Sequence, residues 1–388
     1  MSSMKILYDH QAFEFQKFGG VSRYFAEIIS HLPAEVRPAI AVKYSDNVYL
    51  KQKTLVENLQ AIDSFFNSFL FGLQFKGKSA VFERLKKKFP EKFDVKHDNR
   101  QHSIDLLKKQ DFDIFHPTFY DDYFLEHIGN KPFVVTVHDM IQELYPELYP
   151  DDIYLPLNKA NMIKKASHII AVSEQTKKDI IDIVNIPEEK ISVIYHASHV
   201  AEKTKGILAL PSEYFLFVGE RNRYKNFCFF VRAIEPILKQ RNGLQVVCTG
   251  QPFTWIERRL LEIMGIRKRF VHFFAKEDEL FEVYNKAIAL VFPSYYEGFG
   301  IPILEAFESS CPVLLSDTSC FPEIAKDCAL YFPPKDIKQF GECLENVIDN
   351  PSLRKSLIDK GKIRAQDFSW PKFANQTYEV YKRVLKNE

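Results

Sequence analysis

Long apolar runs are missing from this 388-residue chain. No stretch approaches the ~20 consecutive apolar residues that a membrane span needs, and Met1–His10 has no apolar segment of signal-peptide length. An excess of one charge is missing too. Lys and Arg number 52 against 51 Asp and Glu, a formal net charge of +1. That argues against a nucleic-acid scaffold, whose affinity rests on a clear basic excess. Cysteine is sparse: Cys228, Cys248, Cys311, Cys320, Cys328 and Cys343 all lie in the second half, with no CxxC pair and no His at zinc-ligand spacing. Such thiols are expected to be buried in a reducing compartment. The expected location is the cytoplasm, at most peripheral to the inner face of the cytoplasmic membrane. Glycine is also scarce, 14 of 388 residues, about 4 % against a usual ~7 %, so clustered glycines carry more information than usual.

Apolar content is plentiful but arrives in short pieces. Hydrophobic residues make up 46 %, including 35 phenylalanines, which excludes global disorder. At roughly 150 residues per domain the length predicts two sizeable domains. Lys5–Tyr8, Ile114–His116, Phe133–His138 and His168–Val172 read as strands, followed by Tyr214–Val218, Leu244–Cys248, Phe270–Phe274, Ala289–Phe292 and Pro312–Leu315. Helical spacing lies between them, as after Gly19-Gly20 and over Ser173–Val184, where Ser173 is the N-cap. Doubly buried strands interleaved with helices predict an α/β fold of two Rossmann-like halves with parallel sheets. The unpatterned stretch Ser198–Pro211 marks the boundary, dividing 1–200 from 201–369. Ser369 and Pro371, with apolar positions at helical spacing from Trp370 to Leu385, predict an amphipathic closing helix within 370–388. Residues 76–100 carry nine basic against four acidic side chains, with Phe82, Phe89 and Phe93 interspersed. They read either as a solvated helix face or as a patch for anionic lipid headgroups.

Three stretches carry chemistry. In Phe292-Pro-Ser-Tyr-Tyr-Glu297-Gly298-Phe299-Gly300-Ile301-Pro302-Ile-Leu-Glu305, a strand leads through a Gly-x-Gly turn into a helix with Pro at its start. Helix-start amides favour anions and hydroxyl oxygens, and carboxylates beside them accept from sugar hydroxyls. Glu297 and Glu305 equally suit a cap and a dipole partner. In Val218-Gly219-Glu220-Arg221-Asn222-Arg223-Tyr224-Lys225-Asn226, cations stand at a strand's carboxyl end, where open α/β sheets bind ligands. A pyrophosphate fits there; so does an exposed basic turn. In the first half, Gly19-Gly20 opens a helix, and His138 ends a strand, with His116 similarly placed. Asp111-Phe-Asp113 has the Asp-x-Asp form of a metal site but sits at a strand's amino end, so it reads as a strand-entry turn and no metal is expected.

The order of these motifs resembles glycosyltransferase family 4, also called group 1. Supporting matches are Thr136-Val-His-Asp139, Ala171-Val-Ser173, Pro312-Val-Leu-Leu-Ser316 and Pro322-Glu-Ile-Ala325. The resemblance implies the GT-B architecture, two Rossmann-like domains facing across a cleft, and a retaining, nucleotide-sugar-dependent, metal-independent enzyme without a cofactor. It implies that Arg221 and Lys225 grip the donor diphosphate and that Glu297 holds hydroxyls of the transferred sugar, helped by the Gly298–Phe299–Gly300–Ile301 backbone. Glu305 would bind the ribose, His138 would meet the donor sugar, and Gly19 and Gly20 would lie against the diphosphate. The closing helix would cross back onto the first domain. Adjacent Arg-Lys is common in the family; here Tyr224 precedes Lys225, so Arg223 competes with Arg221 for the guanidinium role. Thr136–Met140 and Arg221-x2-Tyr-Lys-Asn-Phe227 are similar to bacterial mannosyltransferases. This favours GDP-mannose over UDP-sugars as donor, and a glycan or lipid-linked acceptor in surface polysaccharide synthesis. A glycoside hydrolase or phosphorylase using Glu297 and Glu305, a nucleotide-sugar epimerase, and an inactive partner subunit remain alternatives.

Overall fold

The structure, a computed structural model, describes residues 3–62, 78–88, 94–198, 208–221 and 223–386. Two parallel sheets organise it. In the first half β1 (Met4–Tyr8) lies between β2 (Val36–Ile40) and β3 (Ile114–His116), while β4 (Val134–Val137), β5 (His168–Ala171) and β6 (Ile191–Val193) form a second ladder. A parallel bridge between Phe115 and Phe133 joins the two ladders. In the second half β7 (Tyr214–Phe217), β8 (Gln245–Cys248), β9 (Phe270–His272), β10 (Ala289–Phe292), β11 (Val313–Ser316) and β12 (Leu330–Phe332) run in the order β12-β11-β10-β7-β8-β9. Strand order therefore reverses between β7 and β10, and in the first half between β1 and β3. Open α/β sheets leave a crevice at such points, outside the strands' carboxyl ends.

Interior strands are the ones the apolar runs predicted. All residues of β4, β5, β7, β10 and β11 are buried, as two-sided helix cover requires. The strands without a clear sequence signal are β2, β6 and β12, and each is a sheet edge. Three of the five residues of β2 are exposed, and one of them is Pro38, which an edge tolerates because one N–H row faces away from the ladder.

The helix Trp370–Lys386 packs against the helix Gly20–Ser30 of the first half. Its Tyr381 hydroxyl is hydrogen-bonded to the Tyr8 hydroxyl at 2.8 Å and to His116 Nδ1 at 2.7 Å. One apolar cluster runs from Tyr8 and Phe25 through Trp370 and Phe373 to Phe299, Ile303 and Phe321, so the two halves share core. Of the basic stretch 76–100, residues 76–77 and 89–93 lie outside the described residues. The rest falls on the helices Lys78–Lys88 and Val95–Lys109, where Arg100 pairs with Asp121 at 3.2 Å. Among the described residues no helix is long and apolar enough to cross a membrane.

Candidate active site

The loops leaving β7 and β10 meet at the switch point of the second sheet. Gly219 turns the first loop with φ +94, and Asn226, also left-handed at φ +57, caps the helix Phe227–Gln240. The second loop ends at Gly300, left-handed at φ +93, the N-cap of the helix Ile301–Glu308, with Pro302 in its first turn. The Tyr295 N–H donates to the Tyr224 carbonyl at 2.9 Å and clamps the loops side by side. Across that clamp Lys225 Nζ lies 2.5 Å from Glu297 Oε1 and over the rings of Tyr224 and Phe292. The Ser294 hydroxyl donates to the same carboxylate oxygen at 2.8 Å. Ser319 fixes the Glu297 backbone, accepting its N–H at 3.2 Å and donating to its carbonyl at 2.6 Å. Cation and carboxylate are thus held in place from several sides.

Arg221 is engaged by groups of its own domain. Its guanidinium is nearly solvent-free, with Nε 2.9 Å from Glu257. It also donates to the carbonyls of Thr249, Gln251 and Pro252 and lies over the Phe227 and Phe253 rings. A guanidinium so engaged ties the β7 and β8 loops together. The side chain of Arg223 lies outside the described residues.

Glu305 is buried in the first turns of its helix, accepting from the Tyr284 hydroxyl at 2.7 Å. Its other oxygen faces Arg23 of the first half at 3.4 Å. Arg23 sits on the helix opened by Gly19 and Gly20. Gly19 is extended there, and the Gln16 side chain accepts the Ser22 N–H at 3.0 Å. A Cβ on Gly20 would stand 3.5 Å from Ile301 Cδ1, so the two helix starts abut across the cleft. Contact is closer still at Gly298, where an added Cβ would come within 1.7 Å of the His138 carbonyl oxygen. Phe299 is buried against His196 and Phe368.

His138 follows β4 and forms the facing wall. Its ring lies edge-on to Tyr24 at 5.1 Å and stacks on His196 at 5.6 Å, and Trp370 closes the cluster from beside Tyr24 and His196. Burial pulls its pKa down to about 4, so the ring is neutral at pH 7. Three buried ring nitrogens here, His138 Nε2, His196 Nδ1 and Trp370 Nε1, have no hydrogen-bond partner. Lys159, fully buried, anchors the loop behind His138, reaching the Asp139 carbonyl and the Glu143 carboxylate, each at 3.1 Å. His116, by contrast, has both ring nitrogens engaged, Nδ1 with Tyr381 and Nε2 with Thr136 at 2.9 Å, and belongs to the core.

Sequence reading missed the contacts that hold the halves together. Glu323 accepts the N–H groups of Glu174 and Gln175 at 2.8 and 3.3 Å, capping a first-half helix from the second half. The Tyr296 hydroxyl donates to Asp179 at 2.6 Å. No local pattern announces partners more than a hundred residues apart. Asp111 and Asp113 both engage Lys5, through Nζ and the backbone N–H, at the amino ends of β1 and β3. Among the described residues no three His, Cys, Asp or Glu side chains are grouped as a metal site requires.

Residues 18–201 match the model of Glycosyltransferase Family 4, and residues 199–364 match Glycosyl transferases group 1. The chain is 32 % identical over 220 residues to the O-antigen chain mannosyltransferase RfbU of Salmonella typhimurium, an alignment covering 56 % of this chain and 61 % of that one. It is 23 % identical to O-antigen chain mannosyltransferase B of Escherichia coli over 98 % of this chain and all of the relative. Anabaena Alr3699/HepE, solved in complex with UDP and glucose, superimposes with a TM-score of 0.72 at 14 % identity, covering 98 % of this chain and 99 % of that one.

Proposed function

Since the chain belongs to the family 4, group 1 glycosyltransferases and has the GT-B fold, we propose that it moves mannose from GDP-mannose, with retention, onto a growing surface polysaccharide or lipid-linked glycan. One observation carries the reading: the fixed Lys225–Glu297 pair at the switch point of the donor-side sheet, facing the His138 wall. Breaking the anomeric C–O bond puts negative charge on a diphosphate while the sugar becomes oxocarbenium-like. A cation already in position stabilises that charge without reorganising, and low-dielectric surroundings strengthen it.

In this reading Lys225 faces the departing diphosphate, assisted by the amides of Phe299, Gly300 and Ile301 at a helix start. Glu297 takes hydroxyls of the transferred sugar and Glu305 those of the ribose. His138, kept neutral by burial, offers hydrogen bonds to the sugar without adding charge beside the leaving group. Glu297 is tied to Lys225 and Ser294, which disfavours it as a covalent nucleophile. Same-face attack by the acceptor hydroxyl follows, its proton passing to the departing phosphate oxygen. No metal and no cofactor enter the scheme. Mannose as the sugar is supported by the two O-antigen relatives; the UDP found with the Anabaena protein keeps a UDP-sugar as the second reading.

The acceptor side belongs to the first half. A cavity of about 620 Å³ opens between the end of β2, the loop 55–60 and the helix Val95–Lys109. Gln101, His102, Asp98 and Asp105 supply amide, imidazole and carboxylate groups suited to glycan hydroxyls. Thermal shift against GDP, UDP and ADP tests the donor, since a nucleotide at 100 times its Kd adds about 2.7 kcal/mol. GDP is expected to give the largest shift. A larger shift with UDP reassigns the base, and no shift with any of the three overturns the reading. NMR of the product's anomeric configuration tests retention.

A further inference from the structure

Arg221 is committed to Glu257 and three carbonyls. We propose that Arg23 of the first half brings a guanidinium to the donor diphosphate, passing from Glu305 when the ribose hydroxyls engage Glu305. The proposal rests on the nucleotide-sugar reading above and adds a residue to its donor site.

Geometry supports the exchange. Arg23 reaches across the cleft from the first turn of the helix Gly20–Ser30, whose start abuts Ile301 at the start of the facing helix. Two helix N-termini and a guanidinium converge there, and each favours an anion. The Arg23–Glu305 separation is 3.4 Å, long beside the 2.7–2.9 Å of a strong charge-assisted bond, so this ion pair is a loose one. Glu305 keeps the Tyr284 hydroxyl at 2.7 Å throughout and is never bare of donors. A planar guanidinium matches phosphate oxygens two at a time, which a lysine cannot do. Arg23 would then couple closure of the cleft to the presence of a diphosphate, because the ligand contact joins the two halves.

The test compares nucleoside diphosphate with monophosphate. Calorimetry with GDP, GMP, UDP and UMP is run on the unmodified protein, R23Q and R23K, each checked for an unchanged melting profile. R23Q is expected to weaken the diphosphate by about 10- to 100-fold, the worth of one or two charge-assisted bonds, and to leave the monophosphate within about twofold. R23K, which keeps the charge and loses the fork, is expected to fall in between. If R23Q melts early, R23K alone decides, by its diphosphate-to-monophosphate ratio. An unchanged ratio overturns the proposal, as does tighter diphosphate binding in R23Q, the mark of an arginine that merely masks Glu305. Failure of the underlying reading looks different: the unmodified protein would bind none of the four nucleotides, and both statements would fall together.

Discussion

Beneath the same architecture the two halves bury different chemistry. The first holds imidazoles: His10, His116, His138, His168 and His196 all have their pKa pulled down, chiefly by burial. The second holds thiols, which burial pushes up at Cys248, Cys311 and Cys320; buried ion pairs occur in both, Lys159–Glu143 in the first and Arg221–Glu257 and Lys225–Glu297 in the second. The contrast suits a division of labour. In the proposed reaction Lys225 of the second half meets the charged leaving group, and the neutral ring of His138 in the first half faces the sugar.

The comparison is broken most severely at Lys225. Lys225→Ala is expected to lower kcat/KM by about 10²–10³, the usual effect of removing one pre-positioned donor, in steady-state assays of mannosyl transfer. Retained activity would show that the second half's charge is dispensable. Gly298→Ala comes next. The added methyl cannot coexist with the His138 carbonyl oxygen at 1.7 Å, so the halves must part. A misplacement of about 1 Å costs roughly 100-fold in rate, and solution scattering should report a more open particle.

Arg221→Ala separates scaffold from ligand within the second half. It strands Glu257 and three backbone carbonyls, and breaking a buried pair costs about 3–5 kcal/mol. Chemical denaturation should show that loss, with nucleotide affinity in the still-folded protein little changed. The reverse result would restore Arg221 as a diphosphate ligand.

Acid sharpens the contrast. Imidazoles whose folded pKa lies below the ordinary 6.5 bind fewer protons folded than unfolded. Their stabilisation is whole above about pH 6.5 and is lost as pH falls toward 4 for His10 and His138, and toward 3 for His116. The slope is up to about 1.4 kcal/mol per pH unit for each fully buried group. Asp9, Glu14 and Asp179, raised by burial, act in the opposite sense. Hydrogen exchange at pH 5 should therefore show opening in the first half before the second. Uniform loss of protection would contradict the unequal burial.

Legibility followed burial and sequence distance. β7 and β10 are doubly buried apolar runs, and their strand character was plain from Tyr214–Phe217 and Ala289–Phe292. The edges β2, β6 and β12 were not, because an edge needs no continuous apolar run and β2 even contains Pro38. In the site, Glu297, Gly300 and Pro302 announce themselves within one loop. The partners Ser319, Tyr284, Arg23 and Lys159 do not, since each lies many residues from the group it holds.

The order of residues alone determined that there would be two α/β halves, where their buried strands run, and which loops and helix starts carry a lysine, two glutamates and the glycines that let backbones approach. Periodicity and turn chemistry are local, so they survive being read one segment at a time. Folding in three dimensions decided the rest. It set Arg221 on Glu257 and Lys225 on Glu297, brought Arg23 across to Glu305 and pressed Gly298 onto His138. A side chain's role depends on which charges and carbonyls it meets after distant segments have packed, and one-dimensional spacing does not contain those distances.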